Sequence, residues 1–205
     1  MPFVVVGDPR TSQHLIEERK SLGLDRHDEV WDGVYFMSPD PDIEHQGLGF
    51  LFAKAIHAAA GLPESLPVFL GVNVSDREDD WRENYRIPDV AIYLPGNPAK
   101  DCETHWCGGP DLGVEILSEG DRGREKQGFY AKIGTRELII IDRDPWALEL
   151  YALKRKKLRL VGRSSPDKPT WLESTVLPVA FRMVAGSPRP VIEVRGTTGD
   201  RVWRV

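Results

Sequence analysis

Apolar residues recur along this chain in two periods. Helical spacing marks a first helix over residues 11–22, through Leu15 and Ile16, and a longer one entered at Asp40-Pro41 and running to about Ala60. Asp40 suits the N-cap and Pro41 the first helical position, while Gly61 and Pro63 end the helix. Its apolar face is read as Leu48, Leu51, Phe52, Ala55, Ile56 and Ala59. Strand-like runs are predicted at 29–31 and 34–37, around the hairpin signal Asp32-Gly33, and then at 67–74, 87–94 and 112–117, with loops over 75–85 and 95–109. The run from Leu112 to Leu117 is apolar almost without interruption, the pattern of a strand buried on both faces. A helix over 122–133, closed by Gly134, and a strand over 137–141 complete a parallel crossover, which should be right-handed. A hairpin follows, 147–153 with 157–161, turning at Lys154-Arg155-Lys156; then a strand at 179–184 and a last hairpin, 191–194 with 202–205. A break near Gly186-Ser187-Pro188 divides the chain into a domain over 1–186 and a C-terminal β-hairpin extension over 187–205.

Composition narrows the class. A chain of 205 residues, 40% hydrophobic and 29% charged, holds one sizeable core and is an ordinary soluble protein. The net charge of −5 argues mildly against a dedicated duplex-DNA binder and leaves room for an enzyme with a local basic rim. The N-terminus, Met1-Pro2-Phe3-Val4-Val5-Val6 and then Asp8, lacks the basic region and long apolar stretch of a signal peptide. With no run approaching a membrane span, a cytoplasmic location is the expectation. Cys102 and Cys107 indicate no disulfide framework, and with His105 they lack a fourth zinc ligand, so reduced loop cysteines are the better reading.

The informative exceptions to the apolar pattern are two acids. Asp89 lies in Arg86-Ile87-Pro88-Asp89-Val90-Ala91 and Glu115 in Gly113-Val114-Glu115-Ile116-Leu117. Acids inside apolar strands are costly to bury unless something compensates them, and a divalent cation is one such compensation. Lys126 offers another. At 100° per residue it shares a face with Arg122, Phe129, Tyr130 and Ile133, so it should point toward the sheet near Glu115. A structural ion pair between Glu115 and Lys126 or Arg122, and an Asp89 bonded to nearby backbone, are the alternatives. Glu44 and His45 open the long helix; favourable first-turn electrostatics for Glu44 and an interfacial role for His45 compete with a role in the site. Tyr85 and Arg86, with Trp81 and Arg82 upstream, are placed to form a rim that stacks on and grips a nucleic-acid strand. The Lys154-Arg155-Lys156-Lys157 tip is read as solvated.

The order helix, three strands, helix, strand resembles the core of PD-(D/E)XK nucleases, an α/β restriction endonuclease-like fold with a mixed β-sheet flanked by helices. More specifically, the chain resembles the Uma2 family of restriction-endonuclease-like proteins. The resemblance rests on Trp31-Asp32-Gly33, Met37-Ser38-Pro39, Glu44-His45, Pro88-Asp89-Val90-Ala91, Val114-Glu115-Ile116-Leu117-Ser118, Arg122 through Lys126 to Tyr130, Gly134-Thr135-Arg136-Glu137 and Leu177-Pro178, over roughly residues 12–184. It implies that Asp89 and Glu115 bind Mg²⁺ or Mn²⁺ with the Ile116 carbonyl, that Glu44 completes the metal shell, and that His45 belongs to the catalytic group. Leu117 occupies the place of the superfamily's usual lysine, and the resemblance implies that Lys126 substitutes for it.

The reading is a metal-dependent DNA endonuclease hydrolysing phosphodiester bonds, expected to act as a homodimer because two strands need two sites. Two other classes stay open: a catalytically idle nucleic-acid-binding or regulatory protein that kept the fold, and an assembly component whose acids form structural ion pairs.

Overall fold

The computed structural model describes residues 9–205; the run Met1 to Val6, read above as no signal peptide, lies outside them. Helix α1 (Pro9–Leu22) precedes a hairpin of β1 (Glu29–Trp31) and β2 (Val34–Phe36), whose turn residues Asp32 and Gly33 have φ of 48° and 84°, as an Asp-Gly turn of this kind requires. Helix α2 (Ile43–Ala60) leads to β3 (Val68–Leu70) and β4 (Val74–Ser75), and a short 3₁₀ turn to β5 (Tyr85–Arg86) and β6 (Val90–Ile92). The pair β7 (Lys100–Asp101) and β8 (Trp106–Cys107) comes before β9 (Leu112–Leu117), helix α3 (Gln127–Lys132) and β10 (Glu137–Arg143). Six further strands close the described chain: β11 (Trp146–Lys154), β12 (Lys157–Ser164), β13 (Leu172–Glu173), β14 (Val179–Val184), β15 (Val191–Gly196) and β16 (Val202–Arg204).

These strands form a main sheet ordered β12-β11-β10-β9-β6-β3, a second sheet ordered β2-β1-β5-β4-β8-β7, and a third ordered β13-β14-β15-β16. The β9–β10 pair is parallel, as the crossover predicts, and its neighbours in the main sheet are antiparallel. The run 67–74, read from sequence as a single strand, divides between the main and second sheets, and the run 87–94 is cut down to β6, with the second-sheet strand β5 lying just before that run. The reason is local: Gly71 takes a left-handed φ of 63° in one run, and Pro88 supplies no N–H to a ladder in the other. The ribbon therefore bends, pairing β3 with β6 on one side and β4 with β5 on the other.

Helix α2 buries Leu48, Phe52 and Ile56 between two sheets, against Val114 and Ile139 of the main sheet and Phe181 and Val194 of the third. The Phe52 and Phe181 rings lie 5.6 Å apart. Flanked on two sides, α2 buries Gly49 and Ala53 as well, while Leu51 falls on the solvent side with 45% of its surface exposed. The N-cap is Asp42 and not Asp40: its carboxylate accepts the His45 N–H at 2.7 Å and is held by Arg143. Gly61 ends the helix in the left-handed region. Strand β15 pairs with β14 along six positions, and Ile192 and Val194 join the core under α2, so the last hairpin packs on the same core.

The predicted helix over 122–133 is shorter than expected. Gly123–Lys126 forms a 3₁₀ turn, and α3 proper begins at Gln127. The turn lies hard against β9: a β-carbon at Gly123 would come within 2.4 Å of Leu117. Beyond it, Phe129 and Tyr130 pack with Leu117, Leu138 and Ile140 on the sheet face opposite α2.

Candidate active site

Strand β9 alternates, so Leu112, Val114 and Ile116 face α2 while Glu115 and Leu117 face the α3 side. Glu115, 3% exposed, meets two donors there: its Oε2 accepts Lys126 Nζ at 2.9 Å and its Oε1 accepts the Tyr130 hydroxyl at 2.5 Å. Lys126 also donates to Glu29 Oε1 at 2.9 Å. Glu29, the first residue of β1, is itself buried and fixed by the Trp31 Nε1–H at 2.6 Å and the Ile87 N–H at 2.7 Å. One ammonium thus joins acids of the main and second sheets.

Asp89 stands where the ribbon bends. The register Val90↔Val114 carried one step further brings it opposite Glu115, on the same face. Its Oδ2 accepts the Ile116 N–H at 2.6 Å and its Oδ1 meets His45 Nε2 at 2.8 Å. The backbone pairing of β6 with β9 ends at Val90↔Val114, and beyond it the Asp89 carboxylate serves as the acceptor for the Ile116 N–H. Asp89, Glu115, Lys126, His45 and Glu29 all line one cavity of about 440 Å³.

Of the residues singled out in the sequence, Asp89, Glu115, Ile116, Lys126 and His45 come together. Glu44 does not join them: it is 47% exposed on its side chain and pairs with Arg143 at 3.0 Å and Arg189 at 3.4 Å. Arg86 does not join the rim expected of it with Tyr85, Trp81 and Arg82. Arg86 is 3% exposed, donates to the Val30 carbonyl and Asn84 Oδ1, and lies between the Trp31 and Phe129 rings at 4.8 and 4.3 Å. Tyr85 bonds the Asp28 carbonyl. Trp31 and Phe129, and not the Tyr85 and Trp81 that suggested a grip, hold the guanidinium inside. Arg122, expected on the inward face, pairs outside with Glu125. His105 is buried against the Arg77 carbonyl, and both cysteines are free. Sequence reasoning missed Glu29 and gave Tyr130 a packing role only. Glu29 beside Val30 and Trp31 carries the same signal as the other two, an acid at an apolar strand.

Residues 22–186 match the sequence profile of a family described as Uma2, putative restriction endonuclease. The chain belongs to the Uma2 family. Its fold is similar to that of a putative nuclease belonging to DUF820 from Anabaena variabilis ATCC 29413, at 16% identity and a TM-score of 0.54, with 71% of this chain and 81% of that chain covered. That likeness bears on the fold of this Uma2 chain alone. No curated protein matches the sequence.

The electrostatics of this Uma2 site are unbalanced. Glu29, Asp89 and Glu115 lie around two cations, Lys126 and the buried Arg86. Burial pushes Glu115 up to about 8; Lys126 opposes that shift, and the charges of Asp89 and Glu29 add to it. Burial lowers Lys126, but Glu115 and Glu29 outweigh it and hold the ammonium above the ordinary lysine range. Tyr130 is raised by burial and by Glu115, which keeps its hydroxyl a donor.

Among the described residues no group of three or more His, Cys, Asp or Glu is arranged to hold a metal ion. The donor chemistry nonetheless fits a hard cation. Asp89 and Glu115 offer carboxylate oxygens that each accept one hydrogen bond here and keep further acceptor capacity. The Ile116 N–H points to Asp89, and in a strand the carbonyl of the same residue leaves on that side too. Two carboxylates completed by water are an ordinary Mg²⁺ donor set. No helix among the described residues is long and apolar enough to cross a membrane.

Proposed function

We propose that this protein is a Mg²⁺- or Mn²⁺-dependent endonuclease that hydrolyses DNA phosphodiester bonds. One observation carries the reading: Glu29 and Glu115 share Lys126, and Asp89 lines the same cavity, leaving an acid excess that a structural ion pair would not need. Family membership and the fold support it.

Asp89 and Glu115, with the Ile116 carbonyl, would hold the cation. Bound there, it would supply a polarised phosphoryl oxygen and a water of lowered pKa. The chain's own groups have separate tasks. His45 fixes the Asp89 carboxylate, and Ile116 N–H holds its other oxygen. Lys126, kept protonated by two acids, cannot serve as a base at neutral pH; it offers fixed positive charge to the pentacovalent phosphorane-like transition state. Tyr130 and Glu29 orient Glu115 and Lys126 from behind.

The test is cleavage of labelled DNA by the purified protein in Mg²⁺, Mn²⁺ and EDTA, beside Asp89→Asn and Lys126→Met. Metal-dependent cleavage lost in both variants is the expected result. A parent inactive in all metals, with no Mn²⁺-dependent rise in melting temperature, favours the idle-fold reading, which the self-contained Glu29–Lys126–Glu115 chain already permits.

A further inference from the structure

The cavity is lined by two unlike kinds of residue. Asp40, Asp42 and Asp121 are carboxylates at its edge, in addition to the three inside. Phe50 on α2 and Leu70 on β3 also line the cavity and are 56% and 49% exposed. Among the described residues Lys126 is the only lysine or arginine lining the cavity, and it is committed to two acids, while Asp42 is paired with Arg143. A wall so acidic repels the continuous phosphate rails of an intact duplex. It accepts a single phosphate that a cation bridges, provided the neighbouring base finds an apolar seat.

Resting on the nuclease reading above, we infer that Phe50 and Leu70 form a base-stacking wedge and that the substrate class is unpaired nucleic acid: single strands, or duplexes with flipped or unpaired nucleotides. Gly49 and Phe50 are adjacent on α2. Gly49 turns inward and is buried, where a β-carbon would lie in ordinary contact 3.5 Å from Ile116, and Phe50 is exposed and lines the cavity. The wedge and the Asp89–Ile116 contact are therefore fixed by the same helix. A base placed on Phe50 leaves its phosphate to enter toward Asp89. Leu70, next to the Gly71 bend, supplies a second apolar surface. Every base has a π-face, so the wedge selects pairing state and not sequence.

The test compares the parent, Phe50→Ala and Phe50→Trp on three DNA oligonucleotides of one sequence: single-stranded, fully paired, and single-stranded with an abasic site beside the cleaved bond. Binding is read separately in Ca²⁺ by the fluorescence of 2-aminopurine at the stacking position. The parent should bind and cut the single strand at least tenfold better than the duplex. Phe50→Ala should lose roughly five- to hundredfold on the single strand, Phe50→Trp should retain it, and on the abasic strand all three should be equal. Equal cleavage of single strand by parent and Phe50→Ala overturns the wedge and leaves the nuclease reading standing. A parent that binds with a Phe50-dependent fluorescence change yet never cuts supports the wedge and sinks the nuclease reading. No binding to any strand overturns both. If Phe50→Ala instead converts a dimer to a monomer in sedimentation, the patch is an interface between copies and the inference is wrong.

Discussion

Lys126 donates to Glu29 across 97 positions of sequence, at the same 2.9 Å at which it reaches Glu115. That reach ties the second sheet to the main one through a buried charge. It also gives Lys126 a structural duty beside the chemical one.

Replacing Lys126 by Met or Ala therefore leaves Glu29 and Glu115 buried without their common partner. Breaking such a pair costs about 3–5 kcal/mol, roughly 6–20 °C of melting temperature for a domain of this size. Adding Glu29→Gln and Glu115→Gln to Lys126→Met should recover much of the loss. A Lys126→Met protein that melts with the parent, measured by calorimetry, would show that the bridge contributes nothing.

Stability should fall as the medium becomes alkaline, by way of Glu115. Its folded value is raised from 4.5 to about 8, so the folded protein keeps a proton that the unfolded chain releases. The stabilisation is complete below about 4.5 and is lost as pH rises through about 8. Urea titrations from pH 5 to 8.5 should give a downward slope in the parent and a flatter one in Glu115→Gln. Equal slopes would place the proton elsewhere.

Cation binding should release protons for the same reason. A metal-bound Glu115 must be ionised, so Mn²⁺ affinity should rise across the same interval, with close to one proton expelled per ion near pH 7. Calorimetric titrations in two buffers of different ionisation enthalpy measure that proton directly. Asp89→Asn should abolish binding. Uptake of Mn²⁺ with no proton release, unchanged in Asp89→Asn, would mean that the ion sits somewhere else.

Gly123→Ala should disturb the site without touching a polar atom. The added methyl meets Leu117 at 2.4 Å, and Glu115 Oε2 lies 3.7 Å away. Either the 3₁₀ turn carrying Lys126 lifts or Leu117 is displaced, at about 1–3 kcal/mol. A drop in melting temperature together with weaker Mn²⁺ binding is the expected pair of results; a drop in neither would mean that the turn adapts freely.

What could be read in the sequence was whatever one segment decides alone. The buried character of Leu112 to Leu117, the parallel crossover and the inward face of Lys126 all follow from period and composition. Asp89 and Glu115 stood out as acids in apolar runs. Glu29 carried the same mark, but its meaning depends on a contact with Lys126 far along the chain, which no local pattern encodes. The reversal at Arg86 has a similar origin: an arginine flanked by aromatics reads equally as a surface grip or as a cation held between rings, and only the packing of Trp31 and Phe129 decides. The division of 67–74 and the shortening of 87–94 to Val90–Ile92 show that Gly71 and Pro88 outweighed continuous hydrophobicity.

The exchange of strand partner for side chain at Ile116 makes that one amide an informant. Its proton is sheltered by the Asp89 carboxylate and not by a neighbouring strand, so its exchange with deuterium follows the attitude of a single acid. Turn Asp89 toward a cation, a nucleotide or solvent, and the Ile116 signal should change while the amides of β9 on either side stay as they were. The state of this site can then be followed in solution, without a label and before any substrate is known.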